Sequence, residues 1–159
     1  MIKVNLIALG KLKEDYLRKA VEEYSKRLSK YCDLNIIELS PITLPEKPSK
    51  SEIDSALNRE SELIQSKIPA NSFVIALCVE GKGVTSEKFA SMIGQNQAFG
   101  KPICFIIGSS YGLDSKIKTM ADVRLSVSDM TFPHQLFRVM LLEQIYRGFK
   151  INEGSAYHK

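Results

Sequence analysis

Residues 102–112 read Pro102-Ile103-Cys104-Phe105-Ile106-Ile107-Gly108-Ser109-Ser110-Tyr111-Gly112. An apolar run with no polar residue on alternate positions has no face to offer water. It therefore reads as a strand buried on both sides, the habit of parallel sheets. The glycines that close it mark a turn at the strand's carboxyl end. Phe73 to Val79 has the same character and runs into a turn punctuated by Gly81 and Gly83. Two buried strands of this kind need helices on both faces, and the rest of the chain supplies them.

Upstream, Ile2 to Leu9 and Leu34 to Leu39 read as strands, and Gly10 closes the first. Between them Leu17, Ala20, Val21, Tyr24, Leu28 and Tyr31 recur at helical spacing. Ser40 to Lys50 holds three prolines, resists regular structure and is expected to be the most mobile loop. Ser49 with Glu52 forms a capping-box signature ahead of a second helix marked by Ile53, Leu57, Ile64 and Ile68. A short helix passes through Phe89, Met92 and Ile93. Val123 to Val127 is a shorter strand, and Pro133 to Lys150 a long helix with Leu136, Met140, Leu141 and Ile145 on its apolar side. The alternation predicts one α/β domain over residues 1–159, a largely parallel sheet covered by helices on both faces.

Composition agrees with one globular core: 44% hydrophobic and 25% charged. Cys32, Cys78 and Cys104 are odd in number and widely spaced, which suits reduced thiols rather than a disulfide framework. No run approaches a membrane span, and Met1 to Lys13 lacks the pattern of a signal peptide. The expectation is a soluble cytoplasmic protein with no membrane partner. Residues 1–31 carry eight Lys/Arg against four Asp/Glu, and residues 138–159 four against two. Basic ends attract polyanions such as nucleic acid, although a solvated helix face would look the same.

Three strand ends carry polar or glycine-rich loops: Leu77 to Gly83, Gly108 to Gly112, and Ser126 to Phe132. Ligands of parallel sheets settle beyond such ends. The common dinucleotide and triphosphate cradles are missing, as is the G-x-S-x-G elbow of α/β hydrolases. His134 and His158 have no cysteine near them, so no metal is expected. A bulky residue at Gly108 is expected to abolish ligand binding by filling space the backbone yields to the ligand.

The runs Met130-Thr131-Phe132-Pro133-His134-Gln135, Glu143-Gln144-Ile145-Tyr146-Arg147 and Ala156-Tyr157-His158-Lys159, with Gly10-Lys11-Leu12-Lys13 and Phe105-Ile106-Ile107-Gly108, carry a resemblance over the whole chain. They resemble the ribosomal RNA large subunit methyltransferase H family. That resemblance implies a SPOUT-type fold with a trefoil knot in the cofactor-binding part, about residues 70–159. It implies methyl transfer from S-adenosyl-L-methionine to N3 of a pseudouridine in 23S ribosomal RNA, on the assembled ribosome, by a homodimer. Matched motif to motif, cofactor contacts fall on Leu77, Gly108, Val127, Ser128, Asp129, Met130, Thr131 and Phe132, with Asp129 contributing its backbone. His158 becomes the candidate base, Tyr157 stacks or orients the substrate ring, and Arg147 lies near the substrate. Lys11, Lys13, Arg138 and Lys159 are the candidate RNA contacts, one of the two arginines pairing with a carboxylate such as Glu143. Two other readings stand beside this one: a non-enzymatic RNA-binding or ribosome-associated module, and a flavodoxin-like domain for a phosphorylated ligand.

Overall fold

A computed structural model describes the whole chain, Met1–Lys159. The elements alternate as β1 (Ile2–Leu9), α1 (Asp15–Leu28), β2 (Cys32–Leu39), α2 (Lys50–Lys67), β3 (Phe73–Gly83), α3 (Ser86–Ala98), β4 (Ile103–Ile107), α4 (Ser115–Met120), β5 (Val123–Ser126) and α5 (His134–Asn152). The five strands form one sheet in the order β2-β1-β4-β3-β5. Every pairing is parallel. All carboxyl ends therefore lie along one edge, with those of β4, β3 and β5 side by side.

Alternation along each strand sends successive side chains to opposite faces. Val4, Leu6 and Ala8 of β1 join Ile103, Phe105 and Ile107 of β4 under α1, α3 and α5, where Leu28, Phe89, Ile93, Leu141, Ile145 and Phe149 complete the layer. Ile7, Leu9, Val74, Ala76, Cys104 and Ile106 face the other way, onto Ile64 of α2 and Ile117 of α4. The sheet is thus covered on both faces, as the unbroken apolar runs require. The capping box of α2 is present, with the Ser49 side chain accepting from the Glu52 N–H and the Glu52 carboxylate accepting from the Ser49 N–H.

The structure departs from the sequence reading in three places. Helix α4 was not expected; it is only six residues long, started by Asp114 accepting from the Lys116 N–H at 2.8 Å. Strand β3 does not end at Val79. Leu77 and Lys82 both pair with Leu125, so residues 78–81 leave the ladder and the strand resumes to Gly83. On α5 the buried stripe is Arg138, Leu141, Leu142, Ile145 and Phe149, while Leu136 stays 36% exposed. The two stripes share Leu141 and Ile145, but the buried one is rotated by roughly a quarter to a third of a turn, with Arg138 on it where hydrophobicity alone picks out Leu136 and Met140.

Candidate active site

The excursion of β3 makes the first wall of the site. A Cβ on Gly81 would stand 2.6 Å from the Leu125 carbonyl carbon, so only glycine lets the chain swing out and rejoin β5 here. Gly108 ends β4 and opens the second wall. A Cβ there would stand 2.6 Å from the Gly112 carbonyl carbon, because the turn Ser109–Gly112 folds back on it and the Gly112 N–H donates to the Ser109 carbonyl at 2.9 Å. The expected reason for glycine at this position is corrected by this geometry: the space is yielded to the loop's own backbone. The third wall follows β5, where the Met130 N–H donates to Ser128 Oγ at 3.0 Å and Ser126 Oγ donates to the Ser128 carbonyl at 3.2 Å.

Together the walls enclose a cavity of about 430 Å³ at the carboxyl ends of β3, β4 and β5. Small-molecule sites run from roughly 300 to 1,000 Å³. Leu77, Gly108, Val127, Ser128, Met130, Thr131 and Phe132 all line it, so seven of the eight sequence-derived positions converge. Asp129 does not. It is exposed in a separate open hollow with Gly83, Thr85 and Lys88. Val79 and Glu80, within the loop Leu77 to Gly83 singled out above but not named as contacts, also line the cavity, as do Lys118, His134 and Phe137, which sequence reasoning missed. For all but Lys118, which lies within α4, the signal was position: each stands in the excursion of β3 or at the start of α5.

Electrostatics at the cavity are mixed. Glu80 pairs with Lys118, and that hydrogen bond holds the carboxyl below its usual range. Burial, then the neighbouring charges of Arg138 and Lys13, lower the His134 pKa and favour the neutral ring. Burial keeps the Cys78 thiol above its ordinary value, hence protonated at neutral pH.

A second cluster sits on the middle and later turns of α5. Glu143 receives Arg147 through Nε at 3.0 Å and Nη2 at 2.8 Å, and the Tyr157 hydroxyl at 3.2 Å. The Arg147 guanidinium stacks over the Tyr157 ring at 4.8 Å. His158 lies between Arg147 Nη1, 3.2 Å from Nδ1, and Glu87 Oε1, 2.9 Å from Nε2. Arginine can only donate, so Nδ1 accepts and the ring proton sits on Nε2, facing Glu87. That hydrogen bond lowers the Glu87 pKa. The structure thus brings Arg147, Tyr157 and His158 together and occupies both nitrogens of the histidine.

From His134 to Arg147 the helix climbs about 20 Å, at roughly 1.5 Å per residue. Arg147 is thus well along α5 from the cavity wall at His134, whereas His158 reaches Glu87 at the start of α3, next to Lys88, which shares an open hollow with Val127 and Ser128 of the cavity rim. Lys11 and Lys13 are exposed beside the cavity end, where the Lys13 N–H donates to Gln135 Oε1 at 3.0 Å. Lys159 is exposed at the tail. Arg138, expected among the RNA contacts, is a correction. It is 2% exposed, donates to Glu38 Oε2 at 2.5 Å and to the Gly10 carbonyl at 3.0 Å, and joins the ends of β1 and β2 to α5.

A five-stranded parallel sheet whose ligand-sized cavity is built from three loop backbones defines a class before any particular protein. The family described as predicted SPOUT methyltransferase matches residues 2–158. A probable methylase family protein from Haemophilus influenzae Rd KW20 shares the fold at a TM-score of 0.58 and 12% identity, over 100% of this chain and 72% of that one. The chain is also 52% identical to the ribosomal RNA large subunit methyltransferase H of Clostridium kluyveri, 50% to that of Clostridium botulinum strain Langeland and 47% to that of Clostridioides difficile strain 630. Each match covers 98% of this chain and 99% of the relative. The chain belongs to the ribosomal RNA large subunit methyltransferase H family of SPOUT methyltransferases.

Proposed function

We propose that the protein methylates N3 of a pseudouridine in 23S ribosomal RNA on the assembled ribosome, using S-adenosyl-L-methionine, as a cytoplasmic homodimer. The cavity at the ends of β3, β4 and β5 carries the reading. Its volume, its apolar floor of Leu77, Ile107 and Leu125, and its backbone-lined walls fit a nucleoside bearing a short polar arm. When bound, the cofactor supplies an electrophilic methyl, so the protein's task is mainly alignment, worth roughly 7–11 kcal/mol in well-oriented systems. Residues 70–159, which hold all three walls, form the part to which the resemblance attaches a knot.

N3 of the base carries a proton that has to leave. His158 receives it in this reading, through Nδ1, once the Arg147 donor turns from the ring to the RNA. Arg147 then offers its planar donors to phosphate or a base edge, and Lys11, Lys13 and Lys159 meet the backbone. Because one small domain must hold both a cofactor and an RNA segment, the reading places the Tyr157–His158 tail of one subunit at the cavity of the other. A two-fold axis would form two such sites. The non-enzymatic alternative would use the basic surfaces but has no use for the cavity.

The decisive measurement is mass spectrometry of 23S ribosomal RNA from a deletion strain, followed by methylation in vitro. The purified protein should methylate intact ribosomes and leave free RNA nearly untouched, since phosphate contacts alone carry no sequence information. Unchanged ribosomal RNA in the deletion strain would refute the assignment.

A further inference from the structure

Glu60, in the middle of α2, is 4% exposed and has no cationic partner. Its carboxylate instead holds two neutral donors from two different loops. Oε2 accepts the backbone N–H of Ile42 at 3.0 Å, and Oε1 accepts the hydroxyl of Ser109 at 3.0 Å. Ile42 belongs to the proline-rich segment that follows β2, and Ser109 to the cavity loop that follows β4. These two segments leave the sheet along the same edge.

Around this carboxylate lies a smaller hollow of about 210 Å³, lined by Pro41, Ile42, Leu44, Ile53, Leu57 and Tyr111 among others. Ser109, Ser110 and Tyr111 line both this hollow and the main cavity. The turn is thus a shared partition, with the cavity on one side and the proline-rich segment on the other. A buried carboxylate is costly unless its hydrogen bonds are made, so Glu60 penalises any state in which either donor has moved away. Of the two donors, one moves with the segment and the other with the turn.

We propose that Glu60 is a positioning residue that couples the Ser109 turn to the segment 40–49, so that filling the cavity and seating the segment are one event. The inference rests on the reading of the cavity as the cofactor site. Coupling between two sites is reciprocal: if a seated segment favours S-adenosyl-L-methionine, the cofactor must seat the segment by the same factor.

The Ile42 amide reports the event directly through its hydrogen exchange. In the unmodified full-length protein, added S-adenosyl-L-methionine should slow exchange at Ile42 by about tenfold, within the usual range of coupling factors. Glu60→Leu removes both acceptors. It should raise the cofactor Kd by a similar factor and leave Ile42 exchange unresponsive to cofactor. Glu60→Gln should restore both readouts, since the amide oxygen can accept from Ile42 while its NH2 donates to the Ser109 hydroxyl. A purely structural Glu60 would lower Tm in the leucine variant yet leave the cofactor response of Ile42 in place, and that result overturns the proposal. Should Glu60→Leu fail to fold, Ser109→Ala carries the same test: it frees the turn while Glu60 keeps Ile42, and an undiminished Ile42 response again overturns the proposal. If the unmodified protein binds no cofactor, the cavity reading fails and takes this inference with it; failure with binding intact concerns Glu60 alone.

Discussion

The cavity takes the start of α5 and the tail cluster its middle and later turns, and the two are made of different material. The cavity is shaped by main chain over an apolar floor: three strand ends, two glycines that admit close backbone approach, and loops that bond to themselves. The tail cluster is side chain: Glu143 gathers Arg147 and Tyr157, and His158 bridges Arg147 to Glu87. A site of backbone is specified by topology and tolerates little that adds volume. A site of side chains is specified by a few carboxylates and should lose geometry by degrees.

The largest expected effect exploits this contrast. Gly108→Val forces a side chain into the Gly112 carbonyl and should raise the cofactor Kd by more than ~100-fold, with overpacking costing roughly 1–3 kcal/mol of stability. Deletion of residues 157–159 should leave cofactor binding intact and abolish turnover. Mixed with the Gly108→Val chain, the tail-deleted chain should regain activity through heterodimers, each holding one complete site. Heterodimers that form and stay inactive would show that the tail serves its own chain, and the contrast would lose its functional meaning.

Next in size, Arg138→Met should cost about 2–3 kcal/mol in urea unfolding, the lower end for a broken buried pair because Glu38 is partly exposed and can rehydrate. Cofactor affinity should change little. A large affinity loss without destabilisation would return Arg138 to the binding surface. Glu143→Gln comes third. By loosening Arg147 and Tyr157 it should lower kcat by about 10- to 100-fold, as small misplacements do, while the cofactor Kd holds steady. A rise in that Kd would tie the two regions together within one subunit.

The smallest effect concerns pH. His134 is held below the ordinary histidine value of 6.5, chiefly by burial. Below pH 6.5 the unfolded chain takes up this proton more readily than the folded one, so stability falls as pH drops through that value toward the folded pKa. A protonated ring at the cavity wall also opposes a sulfonium cation. From pH 7.5 to 5.5, affinity for S-adenosyl-L-methionine should drop severalfold, whereas the uncharged-sulfur product S-adenosylhomocysteine should be much less affected. His134→Gln should flatten the difference; a profile unchanged by that substitution would assign the effect elsewhere.

Much of the architecture is legible in the sequence because burial on both faces leaves a direct mark: Phe73 to Val79 and Pro102 to Ile107 could hardly be anything but central strands. The parallel alternation followed from those runs, but the strand order did not, since apolar runs do not say which neighbours pair. Helix α4 escaped because six residues carry too little periodicity. Arg138 was misplaced because a charged residue on an apolar stripe is read as surface, whereas here Glu38 and the Gly10 carbonyl satisfy it inside. Seven cavity positions were found through motifs. Val79 and Glu80 were not, since they reach the cavity only through the excursion of β3, which depends on the partner strand. Likewise Glu60 looks like an ordinary helical glutamate until Ile42 and Ser109 are seen beside it.

The position of β4 has a consequence for how the protein is made. This strand lies between β1 and β3, yet it is translated after both. Val4 pairs with Ile103, so β1 waits for a partner that emerges about a hundred residues later. At roughly 5–20 residues per second, the inner edge of β1 stays unpaired for about 5–20 s and that of β3 for about 2–6 s. Exposed apolar strand edges are templates for aggregation, and pairing across such sequence separation is slow. The nascent chain therefore has reason to engage a chaperone until residue 107 clears the ribosomal exit tunnel, and purified protein should refold more slowly than its small size suggests.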